Sequence, residues 1–146
     1  MSDNIKIAVD AMGGKDAPKK ILDAIFSFLS SKKNIFIEIH GDEEVLKKFI
    51  KNYKGKTENY KIVHCSEVIL DTESPLKAAK QKNSSMYSAI NSVKLKNSDI
   101  ALSAGNTGAL LVLSRLNLNM VNGIDKPALA ALWPNENDVN IVLDLG

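Results

Sequence analysis

Apolar positions along this chain fall into short runs separated by longer amphipathic stretches, an alternation that predicts strand, helix, strand, helix. Ile5 to Val9 is rich in apolar residues, ends at Asp10 and reads as a first strand. Pro18 suits a first helical turn, where its missing N–H costs nothing. From it Ile21, Leu22, Ile25, Phe26 and Leu29 line one helical face as far as about Ser31. Ile35 to Ile39 reads as a second strand, closed by His40-Gly41-Asp42, with Asp42 as the N-cap of a helix through about Asn52. The stripe of that helix is Val45, Leu46, Phe49 and Ile50. Lys51 to Asn59 is polar and reads as an exposed loop, and Tyr60 to Cys65 as a third strand.

The pattern repeats in the second half. Ser74-Pro75 pairs an N-cap residue with a proline at the first helical position and opens a helix near Leu76. A lysine-rich segment runs to Lys82, Asn83-Ser84-Ser85 interrupts it, and Met86, Ala89, Ile90 and Val93 restore a helical stripe. Ile100-Ala101-Leu102 is a short strand, followed by the small-residue turn Ser103 to Ala109 and an apolar helix from Leu110 to Val121. Gly123 is expected to stop that helix in a left-handed conformation. Pro127 to Leu132 and Asn140 to Leu145 read as two further strands joined across Trp133 to Asp138.

This rhythm predicts one α/β domain over residues 1–146, with a largely parallel sheet and no repeat, low-complexity tract or linker. Ile141 to Gly146 reads as a buried strand reaching its carboxyl end, where ligand-binding loops of open α/β sheets hang. The chain therefore reads as a fragment of a longer protein. Such a stranded β-strand predicts exposed apolar surface and a tendency to aggregate.

Composition narrows the chemistry. At 146 residues, 45% hydrophobic and 25% charged, the chain fits an ordinary soluble domain with a real core. Nineteen basic against seventeen acidic residues leave a net charge of +2, and Arg115 is the single arginine. Aromatic residues make up 5% and are scattered rather than interleaved with basic ones, which argues against nucleic acid as a partner. One cysteine, Cys65, excludes an intramolecular disulfide and fits a reducing compartment. The start, Met1-Ser2-Asp3-Asn4-Ile5-Lys6, lacks the basic region of a signal peptide, and no apolar run approaches the roughly 18 residues of a membrane span. The expected location is the cytoplasm.

Two turns carry candidate chemistry. Ser103-Ala104-Gly105-Asn106-Thr107-Gly108 lies between a strand and a helix, where backbone N–H groups and short polar side chains converge on an anion. Asp10-Ala11-Met12-Gly13-Gly14 sends an acidic residue off a strand end beside paired glycines that let backbone approach a ligand. Each turn alone also reads as simple helix–sheet packing. Lys77, Lys80 and Lys82 ahead of Asn83-Ser84-Ser85 read as phosphate or acidic-partner contacts, or as a solvated helix face.

Other signatures fail. There is no Gly-x-Gly-x-x-Gly dinucleotide fingerprint. Gly55-Lys56-Thr57 resembles the end of a P-loop, but Ile50 stands where its first glycine belongs. His64 and Cys65, adjacent in a strand, point to opposite faces and read as ordinary strand residues. His40 reads as structural, and two distant histidines with one cysteine give a metal site little support.

The blocks Ile7 to Gly14 with Ala17-Pro18, Lys82 to Met86, Ser103 to Leu110, Gly123 to Ala130 and Leu143 to Gly146, in this order, resemble the bacterial phosphate acyltransferase (PlsX) family of phospholipid synthesis. The resemblance spans the chain and covers about the first half of the family's usual length. It implies a three-layer α/β/α fold similar to that of phosphotransacetylases and isocitrate dehydrogenases, incomplete in this chain. It also implies transfer of a fatty acyl group from acyl carrier protein to inorganic phosphate, giving acyl phosphate, with no cofactor.

Phosphate itself is the nucleophile in that reaction, so the protein supplies binding, orientation and oxyanion stabilisation. Carried over, Asp10, Lys82 and Asn106 are the catalytic candidates. Gly13, Gly14, Ser84, Ser85, Ser103, Gly105, Thr107 and Gly108 are the substrate- and phosphate-binding candidates. A homodimer and peripheral membrane contact are the further implied associations. Lys15-Asp16 departs from the family's usual Asp-His after the paired glycines, which leaves Asp16 one position late. The alternatives are a coenzyme A-dependent phosphotransacetylase-like enzyme and a non-catalytic fragment that pairs with a separate second half.

Overall fold

The computed structural model describes residues 4–53 and 58–143. Gly55-Lys56-Thr57, whose P-loop reading fails in the sequence, and Asp144 and Leu145 at the end of the final expected strand lie outside them.

Four parallel strands form the central sheet, in the order β3-β2-β1-β4: β1 (Ile5–Asp10), β2 (Ile35–Gly41), β3 (Tyr60–His64) and β4 (Ile100–Ser103). Parallel strands need crossover connections, and helices supply them. Helix α1 (Lys19–Ser31) joins β1 to β2, and α2 (Glu43–Ile50) joins β2 towards β3. Between β3 and β4 lie the short α3 (Pro75–Ala78) and α4 (Ser85–Lys94), and α5 (Thr107–Asn117) follows β4.

Alternation along the strands sends two sets of side chains to opposite faces. On one face Val9, Ile35, Ile37 and Ile39 pack against Leu22, Ile25, Phe26 and Leu29 of α1 and Leu46 and Ile50 of α2. These are the apolar stripes expected from the sequence, with Ile21, Val45 and Phe49 at their half-buried margins. On the other face α4 crosses β1, β2 and β4, and its Met86 and Ile90 form a second core with Ile69, Ala78, Ala109 and Leu113. The result is the expected helix–sheet–helix sandwich.

Local chemistry sets the boundaries. Asp42 caps α2 by accepting from the Val45 N–H at 3.0 Å, and Ser74 and Ser84 cap α3 and α4 in the same way. Pro18 sits at the N-cap of α1, one residue outside the helix.

Three expectations need correction. The helix after β4 stops at Asn117, well short of Gly123, because the Asn117 side chain donates to the Leu113 carbonyl at 2.7 Å and Leu118 turns extended. Gly123 does adopt a positive φ of 83°, but in the turn beyond. The last two strands are β5 (Ala130–Pro134) and β6 (Val139–Leu143), which form a separate antiparallel hairpin. Trp133 and Pro134 belong to β5 rather than to the connection. The third correction concerns burial, since β6 is exposed: period-two pairing with β5 alone leaves Leu132, Ile141 and Leu143 on one uncovered apolar face.

Candidate active site

Parallel pairing in register places the last residues of three strands side by side. Asp10 stands opposite His40 of β2 on one flank and Ser103 of β4 on the other, all directed to the α4 side of the sheet. Asp10 is only 1% exposed, and a carboxylate that buried must be satisfied by donors. Its Oδ1 accepts from the Met12 and Gly13 N–H groups at 3.2 and 3.1 Å. Its Oδ2 accepts the Ser103 hydroxyl at 2.7 Å, and Ser103 Oγ in turn accepts the Gly105 N–H at 3.1 Å. One side chain thus braces the turn after β1 against the turn after β4.

Glycine is required where these turns meet. A Cβ on Gly13 would stand 2.5 Å from Asp10 Oδ2 and 3.1 Å from Gly105 Cα. Gly14 has φ 93°, and a Cβ there would lie 2.5 Å from the Ala104 carbonyl oxygen. Gly105 packs on Gly13 Cα and on the Met86 methyl group, which brings the start of α4 to the same place.

Two helix N-termini border the brace. At α4, Ser84 and Ser85 are both buried. The Ser84 hydroxyl donates to the Gln81 carbonyl at 2.7 Å while its oxygen accepts from Tyr87 N–H at 3.3 Å. Ser85 Oγ is buried with no hydrogen-bond partner among the described residues. At α5, Asn106 is the N-cap, its Oδ1 accepting from Ala109 N–H at 3.0 Å. The same amide donates through Nδ2 to the carbonyls of Leu70, Asp71 and Glu73 at 3.3, 3.1 and 2.9 Å, tying the segment before α3 to α5. The N–H groups of Thr107 and Gly108 precede the first intrahelical bond, from Leu110 to Asn106, and so remain donors that the helix does not use.

The candidates therefore divide. Asp10, Gly13, Gly14, Ser103 and Gly105 form one connected unit, and Met86 joins Ser85 to it. Asn106 commits its side chain to the backbone, and Thr107 follows it at the exposed start of α5. Gly108 is packed by Pro75, whose Cγ would stand 3.0 Å from an added Cβ. Lys82 is exposed on the turn ahead of α4. Asp16, at φ 63°, lies in a surface concavity with Lys19, Lys20, Asp23 and Phe49, on the α1 side of the brace.

A buried polar network behind the brace escaped the sequence reading. His40 Nδ1 lies 2.8 Å from Ser88 Oγ of α4, and its Nε2 lies 3.5 Å from Glu38 Oε2. Glu38 accepts from Lys61 Nζ at 2.7 Å and from Ser92 Oγ at 2.5 Å, with Ser98 Oγ a further 3.1 Å on. Burial works against the Glu38 charge, yet the Lys61 ammonium and Ser92 hydroxyl outweigh it and hold the carboxyl below its usual range. At His40 burial wins over Glu38 and Asp10 and pushes the imidazole below 6.5, so it is neutral at pH 7. The sequence signal was a pair of polar residues two apart, Glu38 and His40, in a strand otherwise made of apolar residues and glycine. Burial also pushes the Cys65 thiol up, which leaves it protonated and a poor nucleophile, while His64 is exposed and accepts the Glu43 N–H at 3.2 Å.

Among the described residues no group of three or more His, Cys, Asp or Glu side chains is placed to hold a metal, and no helix is long and apolar enough to cross a membrane. Comparison with known proteins identifies the lineage. A family model described as "Fatty acid synthesis protein" matches residues 5–146. The phosphate acyltransferase of Pelagibacter ubique (strain HTCC1062) is 54% identical over 147 residues, covering 100% of this chain and 44% of that protein. Those of Caldanaerobacter subterraneus subsp. tengcongensis and Streptococcus uberis are 42% and 41% identical, each covering 97% of this chain and 42% of their own length. The chain thus spans less than half the length of these relatives. With the family model matching nearly every residue and the braced turns lying within the match, the chain belongs to the fatty acid synthesis protein family.

Proposed function

We propose that this chain carries the phosphate-binding half of a phosphate acyltransferase that moves a fatty acyl group from acyl carrier protein to inorganic phosphate for phospholipid synthesis. The observation that carries the reading is the Asp10 brace, which fixes two glycine turns and the start of α5 in one place. The name of the relatives, phosphate acyltransferase, suggests the reaction class.

The chemistry asks little of side chains. A phosphate oxygen attacks the thioester carbonyl carbon, a tetrahedral oxyanion forms, and its collapse expels the carrier thiolate, which takes up a proton. Acyl phosphate and the free thiol result. No protein nucleophile is needed, so donors aimed at phosphate and oxyanion do the catalytic service. The Thr107 and Gly108 N–H groups and the Ser85 hydroxyl are the donors assigned to that task, with exposed Lys82 approaching the phosphate dianion from the α4 side. Asp10, Ser103 and the three turn glycines are positioning residues that set where those donors stand. Asn106 positions α5 through its cap and its hold on residues 70–73. In the same reading the working enzyme is a cytoplasmic homodimer that meets the membrane peripherally to hand over its product.

The test is phosphate-dependent thiol release and acyl phosphate formation, measured with acyl-carrier-protein and coenzyme A thioesters side by side. The chain is assayed as it stands and continued by the residues that follow the matched region in the Pelagibacter relative. The reading expects turnover that requires phosphate and favours the carrier-protein donor in the continued chain. Preference for the coenzyme A donor would assign a phosphotransacetylase-like reaction instead. Absence of phosphate-dependent turnover with either donor would overturn the assignment.

A further inference from the structure

Ser85, Ser88 and Ser92 fall on one face of α4, at spacing i, i+3 and i+7. On the sheet side, β2 presents Glu38 and His40 to α4, flanked in register by Ala8 and Asp10 of β1 and by Lys61 and Val63 of β3. Two of the three hydroxyls are engaged there. Ser92 Oγ donates to Glu38 Oε2 at 2.5 Å, and Ser88 Oγ lies 2.8 Å from His40 Nδ1. The third, Ser85 Oγ, is buried one turn above Ser88 with no partner among the described residues. Its neighbour Met86 packs on Gly105 of the brace.

Charge sets the roles in the His40–Ser88 bond. The Glu38 carboxylate, held ionised by Lys61 Nζ at 2.7 Å, stands 3.5 Å from His40 Nε2 and favours the imidazole hydrogen on that nitrogen. Nδ1 then carries the lone pair, and Ser88 Oγ donates to it. We infer that His40 is a positioning residue for phosphate, which through Ser88 fixes the rotation of α4 and so the aim of the Ser85 hydroxyl one turn away. That role rests on the phosphate-site reading above and adds to it a residue from outside the two glycine turns. Met86 and Ile90 hold α4 by apolar packing, which tolerates small rotations, whereas a directional bond to a stiff ring does not. Buried polar pairs of this kind are best attested as devices that set register. The charges around the ring decide when the device works. Asp10 of β1 and Glu38 draw a second proton to His40, Lys61 of β3 opposes it, and burial opposes it most, so the ring is neutral at pH 7. Cys65 beyond β3 stays a thiol, and α4 faces the ring with Ser88 and no charged group. A second proton on Nδ1 would make that nitrogen a donor and reverse the Ser88 bond.

The test uses the chain continued by the Pelagibacter relative's following residues, with inorganic phosphate read both as calorimetric affinity and as KM in acyl phosphate formation. His40→Leu removes the acceptor and Ser88→Ala the donor, while His40→Asn keeps near the Nδ1 position an acceptor that takes no proton. Phe26→Leu, in the core on the other face of the sheet, lowers stability away from α4. The first two variants should weaken phosphate about tenfold, the effect of one hydrogen bond to a charged ligand, with the KM for the acyl donor unchanged. His40→Asn should recover most of that loss, and Phe26→Leu should show none of it. The parent's affinity relative to that of His40→Asn should fall as the pH drops below 6.5, because phosphate's own titration is common to both. Ser88→Ala, at a half-buried helix position, carries the test where His40→Leu fails to fold. Equal phosphate affinity in the parent and in folded Ser88→Ala would overturn the inference. So would an equal loss in Phe26→Leu, which would make the effect one of stability alone. A parent that binds phosphate, loses it in Ser88→Ala and yet forms no acyl phosphate with either donor would defeat the acyltransferase reading and leave the role of His40 in place. A parent that binds no phosphate would overturn both.

Discussion

At the scale of single residues, the Asp10 carboxylate decides the geometry of the site. Hydrogen bonds to a charged group contribute about 1.5–3 kcal/mol each, roughly twice a neutral bond. Asp10 makes three of them and Ser103 passes one on to Gly105. Ser103→Ala leaves both Asp10 Oδ2 and the Gly105 N–H without their partner, and should lower stability by about 1–3 kcal/mol in urea unfolding. Asp10→Asn should cost a similar amount. Because the two groups share one bond, the double variant should cost clearly less than the sum, and strict additivity would show that the brace is not a unit. Much of this was legible in the sequence: an aspartate at a strand end followed by two glycines, and a small-residue turn ahead of a helix. Their union was not, because it depends on β1 and β4 becoming neighbours across about ninety intervening residues, as the Ser103–Asp10 separation of 93 records.

At the scale of elements, helix ends and strand faces carry the account. Asn106 serves α5 twice, through an accepting Oδ1 and a donating Nδ2, and two substitutions separate the roles. Asn106→Asp keeps a capping oxygen but sets a second acceptor against the carbonyls of Leu70, Asp71 and Glu73. It should therefore destabilise the chain and speed amide exchange at residues 70–73 while α5 stays protected. Asn106→Ala should loosen both, with the cap alone costing about 1 kcal/mol. The buried network between β2 and α4 gives a pH signature. The folded state holds His40 below 6.5, so on acidification the unfolded chain takes up this proton first. Stability from this group is full above pH 6.5 and is lost as the pH falls through the folded pKa. Glu38, held below 4.5, adds a loss of the same sign at still lower pH. His40→Gln should flatten the first part of that profile in urea midpoints measured across pH, and an unchanged slope would assign it elsewhere. Helical stripes and N-caps announced the elements well, since period and capping are local. The end of α5 and the exposure of β6 differ from the sequence expectation because the Asn117 side-chain bond and the pairing of β6 with β5 alone are contacts that periodicity does not encode.

At the scale of the whole molecule, helices cover both faces of β2 and β1, while β4 is covered by α4 alone and is open on the α1 side. The apolar hairpin face and the open side of β4 share one physical consequence, exposed hydrophobic surface of the kind that binds other polypeptide. The expected exposure of apolar surface near the end of the chain is present, although its source is an uncovered hairpin rather than a strand stranded in the main sheet. The central claim is that the Asp10 brace positions the donors that bind phosphate. The most direct measurement is kcat/KM for phosphate in the chain continued by the Pelagibacter relative's following residues, compared with its Asp10→Asn variant at a temperature where both are folded. The account predicts a fall of about a hundredfold, the cost of misplacing reacting groups by about 1 Å, with the KM for the acyl donor unchanged. Equal kcat/KM for phosphate in the two proteins would contradict it.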